Sequence, residues 1–285
     1  MAESPVFRAG IRGGPALLWW HGFGGDASEF DDFWSVWRAE DARDFEQYEH
    51  WILELPGHGQ VASVHQPAWS SASNWMRQVA DRLFHIHPHW HGWIGYSLGA
   101  RVGVSVLREF LARRGAVQCA LWEGLNPGLL DGDASGRRER KQRDADLARA
   151  LLTHDGEVFW QTWYDQPLFT GLKESPFFAD LLRRRRRAPR DGLAASLRYF
   201  GQAEMPDLRP CLDPPPIPTR LVYGAEDPTL AKIPPSWQEP TGTLNTAKIS
   251  GASHNVHTMR PQEFARVVSS WLSMETTSPV PPRSL

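Results

Sequence analysis

A serine with glycines two residues to either side, Gly95-Tyr96-Ser97-Leu98-Gly99, stands where an apolar run gives way to a helical pattern. On such a strand-to-helix turn the serine sits on a tight bend, and its small neighbours let the two elements pass. The helix that follows aims its N-terminal N–H groups at the serine oxygen. Serine is a poor nucleophile or base until a histidine takes its proton, and that histidine needs an orienting carboxylate. Both arrive downstream in the order Ser, Asp, His. Asp227 lies in Gly224-Ala225-Glu226-Asp227 and His254 in Gly251-Ala252-Ser253-His254, each just after an apolar run. Glu226 and His257 compete for the same roles. The early turn His21-Gly22-Phe23-Gly24 supplies a further part, since backbone N–H groups of Phe23 and Leu98 are placed to hold a developing oxyanion. A structural serine and a plain glycine loop are the alternatives, and four motifs in one order on fitting elements weigh against them.

These motifs need a scaffold that ends strands at loops on one edge. Ala16 to Trp20, His50 to Leu55, Trp93 to Tyr96, Val117 to Trp122, Thr219 to Tyr223 and Leu244 to Ile249 read as buried strands. Between them, apolar residues at three- and four-residue steps predict helices over Asn74 to His87, with Asn74 as cap, over Arg101 to Arg113, and over Gln262 to Met274. Strands separated by helices imply right-handed crossovers and a mostly parallel sheet, an α/β fold. From about Pro127 to Pro210 only helical periodicity appears. The expected organisation is a core of residues 1–126 and 211–275, a helical cap of 127–210, and a frayed tail of 276–285.

With 285 residues, 41% hydrophobic and 14 tryptophans, the chain has ample material for a buried core. Lys+Arg 31 against Asp+Glu 33 excludes a net basic field for nucleic acid. Two cysteines, Cys119 and Cys211, exclude a disulfide framework. No signal segment and no run of about 18 apolar residues is present, so a cytoplasmic chain without membrane insertion is expected. His85, His87, His89 and His91 alternate like metal ligands on one strand face, but Pro88 interrupts them and no Cys or carboxylate joins; an exposed loop is expected, with no metal.

Together these residues resemble the α/β-hydrolase superfamily. Gly95 to Arg101, Glu123-Gly124-Leu125-Asn126-Pro127-Gly128-Leu129, Trp163-Tyr164-Asp165-Gln166-Pro167-Leu168-Phe169, Met205-Pro206-Asp207-Leu208 and His254-Asn255-Val256-His257 are similar to the 2-succinyl-6-hydroxy-2,4-cyclohexadiene-1-carboxylate synthase family of menaquinone biosynthesis. The likeness runs from about Leu17 to Leu272. It implies that the activated serine removes a proton from a substrate carbon and that pyruvate is eliminated, without metal or organic cofactor. It further implies a small, multiply anionic substrate touched by Tyr96, Arg101, Arg140 and Trp163, with a third arginine among Arg183 to Arg187. Arginine forks suit planar carboxylates. Ordinary surface pairing is the alternative for Arg101 and Arg140, a solvated helix face for the five-arginine run, and plain packing of the cap for Trp163. Asn126 departs from the Ser or His expected before Pro-Gly-Leu, and Glu54 from the Asp expected before Leu-Pro-Gly-His-Gly. The short segment before the first clear strand offers little for an opening hairpin. A serine hydrolase acting on an ester or carbon–carbon bond of an acidic metabolite is the competing function, and an idle ligand-binding fold member the third.

Overall fold

The computed structural model describes residues 5–59, 71–130, 132–239 and 242–274. Strands β1 (Val6–Gly10) and β2 (Ala16–Trp20) precede helices α1 (Asp31–Glu40) and α2 (Ala42–Glu46), then β3 (Glu49–Leu53). Next come α3 (Ala72–Ile86), β4 (His89–Tyr96), α4 (Leu98–Ala112) and β5 (Ala116–Glu123). A helical insertion follows, with α5 (Ala134–Thr153), α6 (Gly156–Trp163), α7 (Phe178–Arg186), α8 (Arg190–Phe200) and the short α9 (Arg209–Leu212). The sheet resumes with β6 (Thr219–Gly224) and β7 (Leu244–Ile249), and α10 (Val256–Met259) and α11 (Pro261–Leu272) close the described chain.

The strands lie in the order β1-β3-β2-β4-β5-β6-β7, parallel except for β1, which runs antiparallel to β3. The chain leaves β2 for β3 on one side and leaves the neighbouring β4 for β5 on the other. The loops after β2 and β4 therefore diverge from a shared crevice at the carboxyl edge of the sheet, the place where open α/β sheets bind ligands. Every residue of β2 is buried, as a parallel strand covered on both faces requires. One face packs Trp20, Trp93, Trp122 and Leu83 with α3 and α4; the other packs Trp19, Trp34, Ile94 and Phe264 with α1 and α11.

The insertion has an apolar cluster of its own, built around Leu151, Phe159, Trp160, Leu181, Leu193 and Leu197. Ala195, Phe200, Met205 and Leu208 join the sheet-face cluster instead, so the change of packing falls within α8. Insertion and core also meet backbone to backbone. A Cβ on Gly57 would stand 2.1 Å from the Gly192 carbonyl oxygen, and one on Gly192 would stand 2.5 Å from that of Gly57.

Several sequence expectations change here. The opening segment does form a strand: β1 pairs with β3 through a register shift between Phe7 and Ala9, and its half-exposed pattern hid it from periodicity. The cap of α3 is Ser71, whose side chain accepts the Asn74 N–H, so Asn74 is the capped residue rather than the cap. The alternating histidines do not share an exposed loop. His85 lies in α3, His87 caps it, and β4 begins right after Pro88 and carries His89 and His91, with His91 bonded through Nε2 to the Leu272 carbonyl at 3.1 Å. Proline at the position before a strand costs no ladder bond. Among the described residues no group of three metal-ligating side chains occurs, and no helix is long and apolar enough to cross a membrane.

Candidate active site

Ser97 occupies the turn between β4 and α4 at φ 51°, with its N–H bonded to the Glu123 carbonyl at 2.9 Å. A bend this tight needs bare backbone beside it. A Cβ on Gly99 would stand 2.3 Å from the His21 carbonyl oxygen, which shows how closely α4 rides over the end of β2. Asp227 follows β6 and His254 follows β7, so the two adjacent strands deliver both to the same edge. His254 donates from Nδ1 to Asp227 Oδ2 at 2.8 Å, and its Nε2 lies 2.8 Å from Ser97 Oγ. Burial alone would raise the Asp227 pKa, but bonds from the His254 ring and the Thr229 N–H outweigh it and hold the carboxyl below its usual range. The ring sits this close because residue 124 is a glycine, at φ 59°; a Cβ there would lie 2.7 Å from His254 Cε1.

The competitors go elsewhere. Glu226 accepts the Gly251 N–H at 3.2 Å on the surface. His257 is fully buried, with Nδ1 2.7 Å from Glu123 Oε2 and its backbone N–H on Glu123 Oε1.

Phe23 and Leu98 line one cavity together with Ser97 and His254, Leu98 as the first residue of α4. The loop holding Phe23 is stapled by His21. Because the Leu55 N–H can only donate, it fixes His21 Nε2 as acceptor at 2.9 Å and leaves Nδ1–H to the Gly22 carbonyl at 2.8 Å. Burial depresses the His21 pKa, consistent with this neutral tautomer. Glu54 Oε1 accepts the Ala27 N–H at 3.0 Å further along the same loop.

Arg101, Arg140 and Trp163 also line the cavity. The Trp163 ring lies 5.3 Å from Phe23 and 5.9 Å from Phe169, forming an apolar wall. Arg140 is held by Asp144 and by Gln202 Oε1 at 2.5 Å. The Arg101 guanidinium has no hydrogen-bond or ion-pair partner among the described residues. Burial first, and then the neighbouring Arg140, push its pKa below the arginine range, yet a guanidinium there stays charged at neutral pH.

Tyr96 and the run Arg183 to Arg187, expected from the resemblance at the substrate, lie outside the described lining of this cavity. The Tyr96 ring is buried, 2.5 Å from where a Gly22 Cβ would be, 4.9 Å from the His257 ring and 5.4 Å from that of His254. None of Arg183 to Arg187 reaches the cavity among its described lining. Arg183 and Arg186 pair with Asp180 and Glu157 on the insertion surface, while Arg184 and Arg185 reach down to Asp32 and Glu29 of the core. Nor is the run simply solvated. Arg185 is buried, bonded to Glu29 Oε1 at 2.7 Å and to the Tyr164 hydroxyl at 3.0 Å.

Glu29 thereby joins a buried charge cluster that sequence reading missed. Burial would raise its pKa, but Arg185 and then His257 hold it well below the carboxylate range. For His257 burial works downward, and Glu123 and Glu29 overcome it and lift the pKa to about 9. Folded stability from His257 is therefore fully present below pH 6.5 and falls as pH rises through about 9. Replacing Arg185 by methionine strands the Glu29 carboxylate in the interior, and denaturant titration should show a loss of about 3 kcal/mol. Adding Glu29→Gln should return most of it; a double variant as unstable as the single one would show that packing, not charge, sets the loss.

A model of the alpha/beta hydrolase family matches residues 17–267. The 2-succinyl-6-hydroxy-2,4-cyclohexadiene-1-carboxylate synthase of Enterobacter sp. (strain 638) is 30% identical over 269 residues, covering 94% of this chain and 95% of its own. The enzyme of the same name from Klebsiella pneumoniae is 31% identical over 262 residues, covering 92% and 95%. The solved structure of MenH from S. aureus superimposes with a TM-score of 0.74 at 22% identity, covering 95% of this chain and 98% of that one.

Proposed function

This chain belongs to the alpha/beta hydrolase family, and on that premise we propose that it is a carbon–oxygen lyase that expels pyruvate from a small, multiply anionic succinyl-cyclohexene substrate, as the sequence resemblance implies; its relatives are named as synthases of a succinyl-hydroxycyclohexadiene carboxylate. The observation that carries this reading is the unpartnered Arg101 guanidinium, held in the cavity that also receives Ser97 and His254. The guanidinium is only partly exposed, and Asp144, the acid nearest in effect, is already bonded to Arg140, so a ligand that supplies the opposite charge is favoured there. An esterase for neutral substrates has no use for it.

Ser97, Asp227 and His254 act as one relay in this reading. His254 Nε2 draws the proton from Ser97 Oγ, and the alkoxide oxygen removes a proton from the substrate carbon. The C–H bond breaks, its electrons form a ring double bond, and the C–O bond to the enolpyruvyl group breaks. Enolpyruvate takes a proton back from His254 and ketonises to pyruvate. Charge displaced onto a conjugated carbonyl oxygen is received by the N–H groups of Phe23 and Leu98, donors of a kind worth about 3 kcal/mol of barrier. Arg101 and Arg140 hold carboxylates, and Trp163 covers the ring.

The direct test is incubation with the succinyl-cyclohexene precursor while pyruvate is followed. Arg101→Ala should cost about 2–3 kcal/mol in kcat/KM on that substrate, because a substrate charge is left unpaired. Slow hydrolysis of a neutral short-chain ester should be unchanged. Arg140→Ala also releases Asp144 and Gln202 and so is the less clean variant. No loss on the anionic substrate, or no pyruvate from the wild type, would leave serine hydrolysis as the function.

A further inference from the structure

Asn126 lines the cavity in the segment that follows β5, and its amide is oriented by neighbours whose donor and acceptor roles are fixed, Gln202 and Arg140 of the same lining among them. The Gly128 N–H, at 3.0 Å, can only donate, so the Asn126 atom facing it is Oδ1. An arginine N–H can only donate as well, so the Gln202 atom facing Arg140 is Oε1, and Gln202 Nε2 must be the donor that meets Asn126 Oδ1 at 2.7 Å. Asn126 Oδ1 thus accepts two bonds and is saturated. Its Nδ2, with two N–H groups, has no partner among the described residues and is not sealed from solvent. Ser196 on α8 lines the same cavity, is 1% exposed, and has a buried hydroxyl with no partner. The Arg101 guanidinium is a further unpartnered polar group of that lining, and the buried Thr229 hydroxyl, beside Asp227, is another.

We propose that Asn126 is a specificity-determining residue: its Nδ2, aligned by Gln202 and Gly128, joins Arg101 and the Ser196 hydroxyl in a subsite that takes a carboxylate and discriminates against groups that must donate there. Arginine alone supplies charge; an amide fixed in one orientation adds a direction along which only an acceptor fits. Gln202 is the positioning residue, since it ties Arg140 to Asn126. The substrate's identity rests on the lyase reading, whereas the ligand class follows from the donor set.

The probes are succinate and its neutral analogue succinamide, titrated calorimetrically against the full chain. Asn126→Asp keeps an acceptor for Gly128 and Gln202, and so preserves the local bonds, while turning the cavity-facing donor into a charged acceptor. Succinate affinity should fall about thirty-fold or more in this variant, and succinamide affinity by less than about three-fold. Asn126→Ser, which removes the amide without adding charge, should weaken succinate about five-fold. With the precursor, Asn126→Asp should raise KM far more than it lowers kcat. Unchanged succinate affinity in Asn126→Asp, equal losses for both probes, or no succinate binding by the wild type would each overturn the subsite. If pyruvate is released with the same kcat/KM by wild type and Asn126→Asp, the subsite falls and the lyase reading stands. If succinate binding depends on Asn126 but no pyruvate appears, the lyase reading falls and the subsite stands.

Discussion

Ser97→Ala should leave a folded protein whose pyruvate release from the succinyl-cyclohexene precursor is lower by about ten-thousand-fold or more, the scale of loss when one member of such a relay is removed. The motive is geometric: among the described residues, Ser97 Oγ is the side-chain atom placed on His254 Nε2, at 2.8 Å. Stability should change by less than about 0.5 kcal/mol, because alanine at φ 51° inherits the same backbone conformation and loses only a hydroxyl. Ser97→Gly sharpens the test. Glycine adopts that φ freely, so this variant should be as inactive yet gain about 1 kcal/mol in thermal unfolding. Such a gain would mark the turn as strain held for the sake of the hydroxyl. Residual activity above about a tenth of wild type would remove Ser97 from the chemistry.

Asp227→Asn should lower the same rate by about a thousand- to ten-thousand-fold. Asparagine can offer its own N–H to His254 Nδ1, which favours the tautomer with the proton on Nε2, where it can no longer accept from Ser97. The acceptor for the Thr229 N–H is retained in one orientation of the new amide, so the loop after β6 should keep its shape. Glu226→Gln is the control, since that side chain faces the surface and meets only the Gly251 N–H; it should fall within about two-fold of wild type. Were Glu226→Gln the crippled variant, the carboxylate of the relay would be the wrong one of the adjacent pair.

The fold was legible because a parallel sheet buries its strands on both faces and announces them as apolar runs ended by glycine. The elbow around Ser97 was legible for a related reason: its glycines answer a steric demand within five residues. Edge strand β1 escaped because it is short, half-exposed and broken by a register shift. The cluster of Glu29, Glu123, Arg185 and His257 escaped because its members approach only in three dimensions, from four separate stretches of chain. One signal was available for it. Glu123 follows directly on the run Val117 to Trp122, and a carboxylate at the end of a buried strand needs a partner. Asn126 stood out in the sequence only as a departure from expectation; its role needed Gln202, 76 residues away, to be placed beside it. Composition cannot tell an arginine that serves a ligand from one that bolts helix α7 to the core, and Arg185 shows how far the two differ.

The paired glycines at 57 and 192 bear on how this protein can be rebuilt. No residue is smaller than glycine, so neither partner can make room for a side chain on the other, and drift at one site has no compensating change at its mate. The exposed, charged outer face of α5 meets no such restriction. A lineage, or an engineer making chimaeras, can therefore exchange much of the insertion for that of a relative, and so alter what the cavity accepts, as long as a cation is kept at Arg185 for the buried Glu29. Such grafts should seat only when the incoming helix also brings a glycine to meet Gly57, which makes this backbone contact a compatibility requirement for any borrowed insertion.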